Sequence, residues 1–345
     1  MSKKGKITAK DVAEMAGVSM MAVSRVLSGK GYSSKELSAK VHKAVTALGY
    51  VPNALARGMM AGKTMMVGVP VSVSSPFYSD VVQGIYASLS EFDYLLTLGW
   101  AREITPKNSD QSDLRYIQRM LEHRVDGLII RPTLGPKNEK YYQEVKKRDI
   151  PMVCVDRDFD KIACPFVGSD DLWGGEEAAR ILLERGHRKV LHVAGVQAVS
   201  STAVLRRKGF KGAIEASADT RYYEIVGRNL ETDWMDQVVE LVKKKKITAV
   251  FLYNDHLASM LFSEFEKQNI SIPDDVSIIG FGGLPVAEWT RPKLSTFNQK
   301  PKIIGKEAGL LLHALMNEKD ESFSSKRILI RPEWVEAGSV SSIKS

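Results

Sequence analysis

The sequence predicts an α/β chain in two parts: a small all-helical head, then a long core built from two doubly wound parallel sheets. Three observations predict it. Residues 8–48 carry apolar side chains at helical spacing with no strand-like run. From Met65 onward, short wholly apolar runs alternate with amphipathic stretches, the pattern of strands covered by helices on both faces. That alternation restarts near residue 161, and 345 residues are too many for one simple domain.

The head is organised by Thr8 to Leu27, TAKDVAEMAGVSMMAVSRVL. Thr8 is suited to cap a first helix, with Asp11 three positions on as in a capping box. Val12, Ala13, Met15 and Ala16 give that helix an apolar side, and Gly17 ends it. Ser19 caps a second helix, Met20 to Leu27, in which Val23, Val26 and Leu27 share one face. The opposite face shows Met20, Met21, Ser24 and Arg25. Two such helices about a tight break make a helix-turn-helix, whose second helix offers its N-terminal end to a DNA major groove. A third helix follows, with Ser33 and Glu36 as a second capping box and Leu37, Val41, Ala44, Val45 and Leu48 facing inward. Gly49 ends it, and Tyr50 and Val51 pack beneath.

Charge agrees with that reading. The net charge is +8, and many of the cations cluster early, among them Lys3, Lys4, Lys6, Lys10, Arg25, Lys30, Lys35, Lys40 and Lys43. A local basic surface of this kind suits phosphate. The two cysteines, Cys154 and Cys164, form no CxxC pair and are expected to be reduced thiols. No signal-peptide pattern and no membrane-spanning apolar run is present, so the chain is expected in the cytoplasm, associated with the nucleoid, with no membrane partner. Neither a cofactor nor a metal is expected.

The first helices closely resemble the LacI/GalR family of bacterial transcription regulators. That family's pattern is roughly T-x-x-D-V-A-x-x-A-G-V-S-x-x-T-V-S-R-V-L. Here it stands as Asp11-Val12-Ala13, Ala16-Gly17-Val18-Ser19 and Val23-Ser24-Arg25-Val26-Leu27, with Ala22 in place of threonine. The resemblance implies a DNA-binding domain over 1–51, a hinge over 52–63 and an effector-binding and dimerisation core over 64–340. Its DNA contacts fall on Thr8, Ser19, Met20, Met21, Ser24 and Arg25. Met20 and Met21 take the two main base-reading positions, where they offer apolar contact to thymine methyls rather than bidentate hydrogen bonds. In the hinge, PNALARGMMAG, the implied contacts are Asn53, Ala56, Arg57 and Met59. Such a helix is too short to persist alone, so it is expected to order on DNA. The family's wedging leucine falls at Met59. Dimerisation on a palindromic operator then supplies the affinity that one small head lacks, with Ser79 to Glu91 as part of the dimer face.

For the core, the resemblance implies the fold of periplasmic sugar-binding proteins, with three crossings between two subdomains. By that analogy subdomain one spans about 65–160 plus 295–322, and subdomain two about 161–292 plus 325–340. Ligands of such sheets bind beyond the carboxyl ends of the strands. Those ends carry Phe77, Tyr78, Trp100, Arg131, Asp156, Arg157, Asn254, Asp255 and Gly282. Aromatic faces stack on sugars or bases, while amides and charges fix hydroxyls or acids. The resemblance adds Arg206, in the family's R-x-x-G-[FW] pattern with Gly209-Phe210, and places Asn254-Asp255 in its N-D-x-x-A pattern. The expected effector-binding set is therefore Phe77, Tyr78, Trp100, Arg131, Arg157, Arg206, Asn254, Asp255 and Gly282.

Many relatives carry an acid after Gly-[FY] on the last strand, where this chain reads Gly280-Phe281-Gly282-Gly283. Losing that carboxylate while Arg131, Arg157 and Arg206 remain points to an anionic effector, a sugar acid or phosphosugar, as in the similar gluconate-operon branch. The expected function is a dimeric repressor controlled by a sugar, sugar acid or phosphosugar. Two other classes remain open: a sugar-processing enzyme with a DNA-binding head, and an architectural DNA binder without an effector. No G-x-S-x-G, P-loop, GxGxxG opening a helix or H-E-x-x-H is present to favour an enzyme.

Overall fold

The computed structural model describes residues 7–28, 32–51, 62–71, 75–99, 112–132, 136–159, 162–194, 201–226, 233–318 and 321–343. The chain divides into two compact units, Met1–Met65 and Met66–Ser345.

The first unit is the three-helix head: α1 (Ala9–Ala16), α2 (Met20–Ser28) and α3 (Lys35–Leu48). Its small core is Val12, Ala13, Val23, Val26, Val41 and Ala44, the residues at helical spacing on each element. The Asp11 carboxylate accepts from the Thr8 N–H and Oγ1 at 2.7 and 2.8 Å, so the first capping box forms. Ser19 Oγ accepts from the Ala22 N–H at 3.2 Å and starts α2. The second cap sits one residue later than expected. Ser34, not Ser33, accepts from the Leu37 N–H, while Ser33 Oγ pairs with Ser38 Oγ and Glu36 binds Lys40 instead of closing a box. Both serines can cap, and the turn that leads into α3 decides between them.

The second unit holds two parallel sheets. The first has six strands in the order β11-β5-β4-β3-β1-β2: β1 (Met66–Val69), β2 (Leu95–Leu98), β3 (Gly127–Ile130), β4 (Met152–Val155), β5 (Phe166–Ser169) and β11 (Arg327–Ile330). The second has the order β7-β6-β8-β9: β6 (Lys189–Val193), β7 (Arg221–Ile225), β8 (Ala249–Leu252) and β9 (Ser277–Ile279). Single bridges, Ile279 to Ser295 and Gly282 to Asn298, add β10 (Thr296–Asn298), which pairs antiparallel with β12 (Glu333–Val335).

This moves the expected subdomain limits. Phe166–Ser169 and Arg327–Ile330 pair with each other and, through β4, with the first sheet, although the boundaries at 161 and 325 assign them to the second. Thr296–Asn298 likewise belongs to the second sheet, not the first. The three crossings stand, but they fall after β5, after β10 and after β11. The cause is the brevity of these strands. FVGS and TFN are three or four residues long and are read as loop unless their partners are known.

Two helix pairs brace the two halves. On the first, α4 (Pro76–Ser90) packs against α12 (Pro301–Asn317); on the second, α7 (Asp171–Glu184) packs against α8 (Ser201–Glu215). Both crossings bring backbone onto backbone. A Cβ on Gly84 would lie 2.1 Å from the Lys302 carbonyl oxygen, one on Gly305 1.9 Å from that of Val81, and one on Gly175 2.1 Å from that of Arg206. Only glycine permits these approaches.

Cys154 and Cys164 are buried free thiols. Among the described residues no helix is long and apolar enough to cross a membrane.

Candidate DNA and effector sites

In the head, α2 turns Val23 and Val26 inward and leaves Ser19, Met20, Met21, Ser24 and Arg25 exposed, as Thr8 is at the start of α1. Met20 is 56% and Met21 72% exposed. Two adjacent bare methionines in so small a domain are a cost to solubility that a partner surface explains. Asn53, Ala56, Arg57 and Met59 lie outside the described residues.

In the core, the expected residues fall into two groups, and Trp100 is outside the described residues. The first group gathers at the strand ends of sheet one. Tyr78, in the first turn of α4, donates its hydroxyl to Asp156 Oδ2 at 2.6 Å. Arg131, just past β3, donates Nε to the same oxygen at 3.0 Å and lies 5.1 Å over the Tyr78 ring. Burial holds the Tyr78 hydroxyl well above its ordinary pKa, so it remains a donor. Phe77 is 8% exposed and meets Tyr78 edge-on at 5.0 Å, so it stiffens the group from beneath. Arg157 is buried as well, and burial together with the Arg131 charge lowers its pKa.

The second group is centred on Arg206, which is 3% exposed. Its Nη2 and Nε donate to Asp171 Oδ1 at 2.5 and 3.1 Å. Nη1 donates to the Tyr253 carbonyl, and the guanidinium sits 3.6 Å over the Phe281 ring. Burial pushes the Asp171 carboxyl up to about 6 even against the Arg206 charge. Gly209 of the R-x-x-G-F pattern is the other half of the α7–α8 contact, its Cβ position 2.1 Å from the Leu172 carbonyl oxygen. The motif therefore fixes both the arginine and the helix that carries its partner acid.

Asn254 and Asp255 are taken up by the fold itself. Asn254 Oδ1 caps α10 (Asp255–Lys267) by accepting from the Leu257 N–H at 2.9 Å. Asp255 is fully buried; Oδ1 accepts from Thr296 Oγ1 at 2.5 Å and Oδ2 from the Leu284 N–H at 2.7 Å. Burial pushes its carboxyl up to about 6. Gly282, at φ 144°, lies in the loop that this carboxylate holds, a backbone form that side chains rarely adopt.

Sequence reasoning gave no role to Asp171 or His192 and named Asp156 only as a strand-end residue. The one available signal was Arg206 itself, since an arginine buried on a helix needs an acid somewhere. His192 on β6 stacks on Phe251 at 5.0 Å, with Nδ1 3.0 Å from the Phe251 carbonyl. Burial pushes it down to about 4, against an ordinary value of 6.5. It is neutral when folded and binds a proton when unfolded, so stability is lost as pH falls from about 6.5 towards 4. Asp171 and Asp255 act oppositely, since raised carboxyls lend stability as pH falls through about 6. His192→Phe should therefore lose less stability than the wild type between pH 7 and pH 5, measured as urea midpoints; parallel curves would show that the histidine does not carry the acid-side loss.

Two family models match the chain: bacterial regulatory proteins of the lacI family over residues 8–53, and a periplasmic binding protein-like domain over 179–340. The HTH-type transcriptional repressor PurR of Vibrio atlanticus is 32% identical over 344 residues, covering 97% of this chain and 99% of its own. The chain belongs to the lacI family. Its fold matches a solved lac repressor dimer bound to operator and the anti-inducer ONPF, with TM-score 0.83, 20% identity, and 97% and 99% of the two chains covered. It also matches a LacI family transcriptional regulator from Enterococcus faecium with bound ribose, with TM-score 0.67, 24% identity, and 81% and 100% covered. This lacI-family protein is a DNA-binding transcriptional repressor with a small-molecule effector, and not an enzyme.

Proposed function

We propose that the repressor binds a palindromic operator as a homodimer in the cytoplasm, and that its effector is a singly charged hydroxylated acid, a sugar acid before a phosphosugar. The arginine count carries this reading. Arg131, Arg157 and Arg206 stand at one end of the two sheets with Asp156 and Asp171, which leaves one positive charge in excess. Asp255 is left out of that balance because its charge is met locally by Thr296 and the Leu284 N–H. One excess cation matches a carboxylate better than a dianionic phosphate. Ribose in the Enterococcus relative supports a hydroxylated ligand class.

For the dimer, α4 exposes Tyr86 at 61%, and the sheet's edge strand β2 exposes Leu95 at 66% and Leu98 at 50%. An apolar patch on an open edge suits a second copy. The effector draws the two core halves together and alters the spacing of the hinge segments over 52–63, including Met59, so DNA and effector oppose or support each other through one coupling free energy. Isothermal titration against D-gluconate, sugar phosphates, D-ribose and purines tests the ligand class. Gluconate-type acids should bind tightest, and heat only from neutral sugars or purines would refute it.

A further inference from the structure

We infer that Asp156 supplies the carboxylate that accepts the effector's hydroxyl hydrogen bonds, taking over the work that an acid after Gly280-Phe281 would do on the opposite half. The inference rests on the proposed hydroxylated ligand and names its main acceptor.

Asp156 has one oxygen occupied and one open. Oδ2 takes both donors, the Tyr78 hydroxyl at 2.6 Å and Arg131 Nε at 3.0 Å. Oδ1 accepts no hydrogen bond from any described residue. A carboxylate has about four acceptor positions, so two of its lone pairs are left for something else. The side chain is 15% exposed, enough for a small molecule to reach while most of its hydration is already gone. The two donors also lock its orientation, since they come from different elements, α4 and the end of β3. The residue is held at φ 62°, a backbone form that costs energy for any residue but glycine and that clusters at binding sites.

The surroundings agree. Asp156 follows β4 directly, and its N–H donates to the Val167 carbonyl of β5. At the end of that neighbouring strand, Ser169 is 5% exposed and its hydroxyl has no hydrogen-bond partner. A buried hydroxyl without a partner costs about 1–3 kcal/mol unless something polar arrives. The opposite half cannot supply the acceptor at position 282, where φ is 144° and a Cβ would lie 3.2 Å from Asp255 Oδ2. Asp255 cannot reach out either, being fully buried with both oxygens engaged.

The test uses the full-length protein, with D-gluconate and D-ribose as probes beside their single-position deoxy analogues, by isothermal titration. For whichever probe binds, one deoxy analogue should bind the wild type about tenfold or more weaker, as expected for a lost hydrogen bond to a charged acceptor. Asp156→Asn should weaken the parent probe by a similar factor and bind that analogue almost as well as the wild type does. A variant that merely loosens the site would lose the same factor toward every analogue, and that pattern overturns the inference. So does full affinity of Asp156→Asn for the parent, or a wild type indifferent to every single deoxy change, a result that needs no variant to fold. If neither hydroxylated probe binds the wild type at all, the proposed ligand class falls and this assignment falls with it.

Discussion

Replacing Asp171 by alanine is expected to destabilise the repressor core by about 3–5 kcal/mol, the range seen when a buried ion pair loses one member. Arg206 and Asp171 side chains are 4% and 1% exposed, so the arginine would keep its charge with neither water nor carboxylate to answer it. The Tyr253 carbonyl and the Phe281 face remain, but together they do not replace an anion. Removing both charges should hurt less: Asp171→Leu with Arg206→Met leaves no stranded ion, and a dry pair of similar volume is often tolerated. Urea unfolding of the three variants separates the cases. A single mutant no less stable than the double would mean that the pair is not the clasp its geometry describes. The double mutant should also lose its effector response while remaining folded.

A chain ending after Val51 should bind a palindromic operator about a hundredfold or more weaker than the intact protein. The three-helix head has only one face for DNA, and its bare residues include two methionines that form no bidentate base contacts. Coupling two heads through a dimeric core turns the second docking event into an intramolecular one, which is worth about 10²–10⁴ in affinity. Fluorescence anisotropy at one fixed salt concentration reads this directly, since phosphate contacts make every such number salt-dependent. Equal affinity of the two proteins would remove the need for hinge, dimer and core alike.

The head was legible because its information is local. Thr8 with Asp11, Ser19 with Ala22, and the apolar spacing of Val12, Val23 and Val41 act within a few residues of one another. The alternating core was legible for the same reason, since each strand and helix carries its own periodicity. What escaped depends on distant partners. Phe166–Ser169 is a strand only because β4 and β11 flank it. Asp171 sits 35 residues from the arginine it holds and reads, by itself, as one more acid opening a helix. The three-cation cleft was right as a list of side chains and wrong as a charge count, because that hidden acid offsets one of them. Asn254 and Asp255 show the converse: a recognisable motif whose side chains the fold uses for a cap and a loop.

The glycine contacts carry a mechanical consequence. Where Gly84 and Gly305 join α4 to α12, and Gly175 and Gly209 join α7 to α8, main chain rests on main chain with no pliable side chain between. Each half is thereby stiffened like a welded frame, and an effector that grips Arg206 grips the weld itself, because the carbonyl of that residue is what Gly175 touches. Force applied there has no soft layer in which to dissipate and is delivered whole, as rotation of one block against the other.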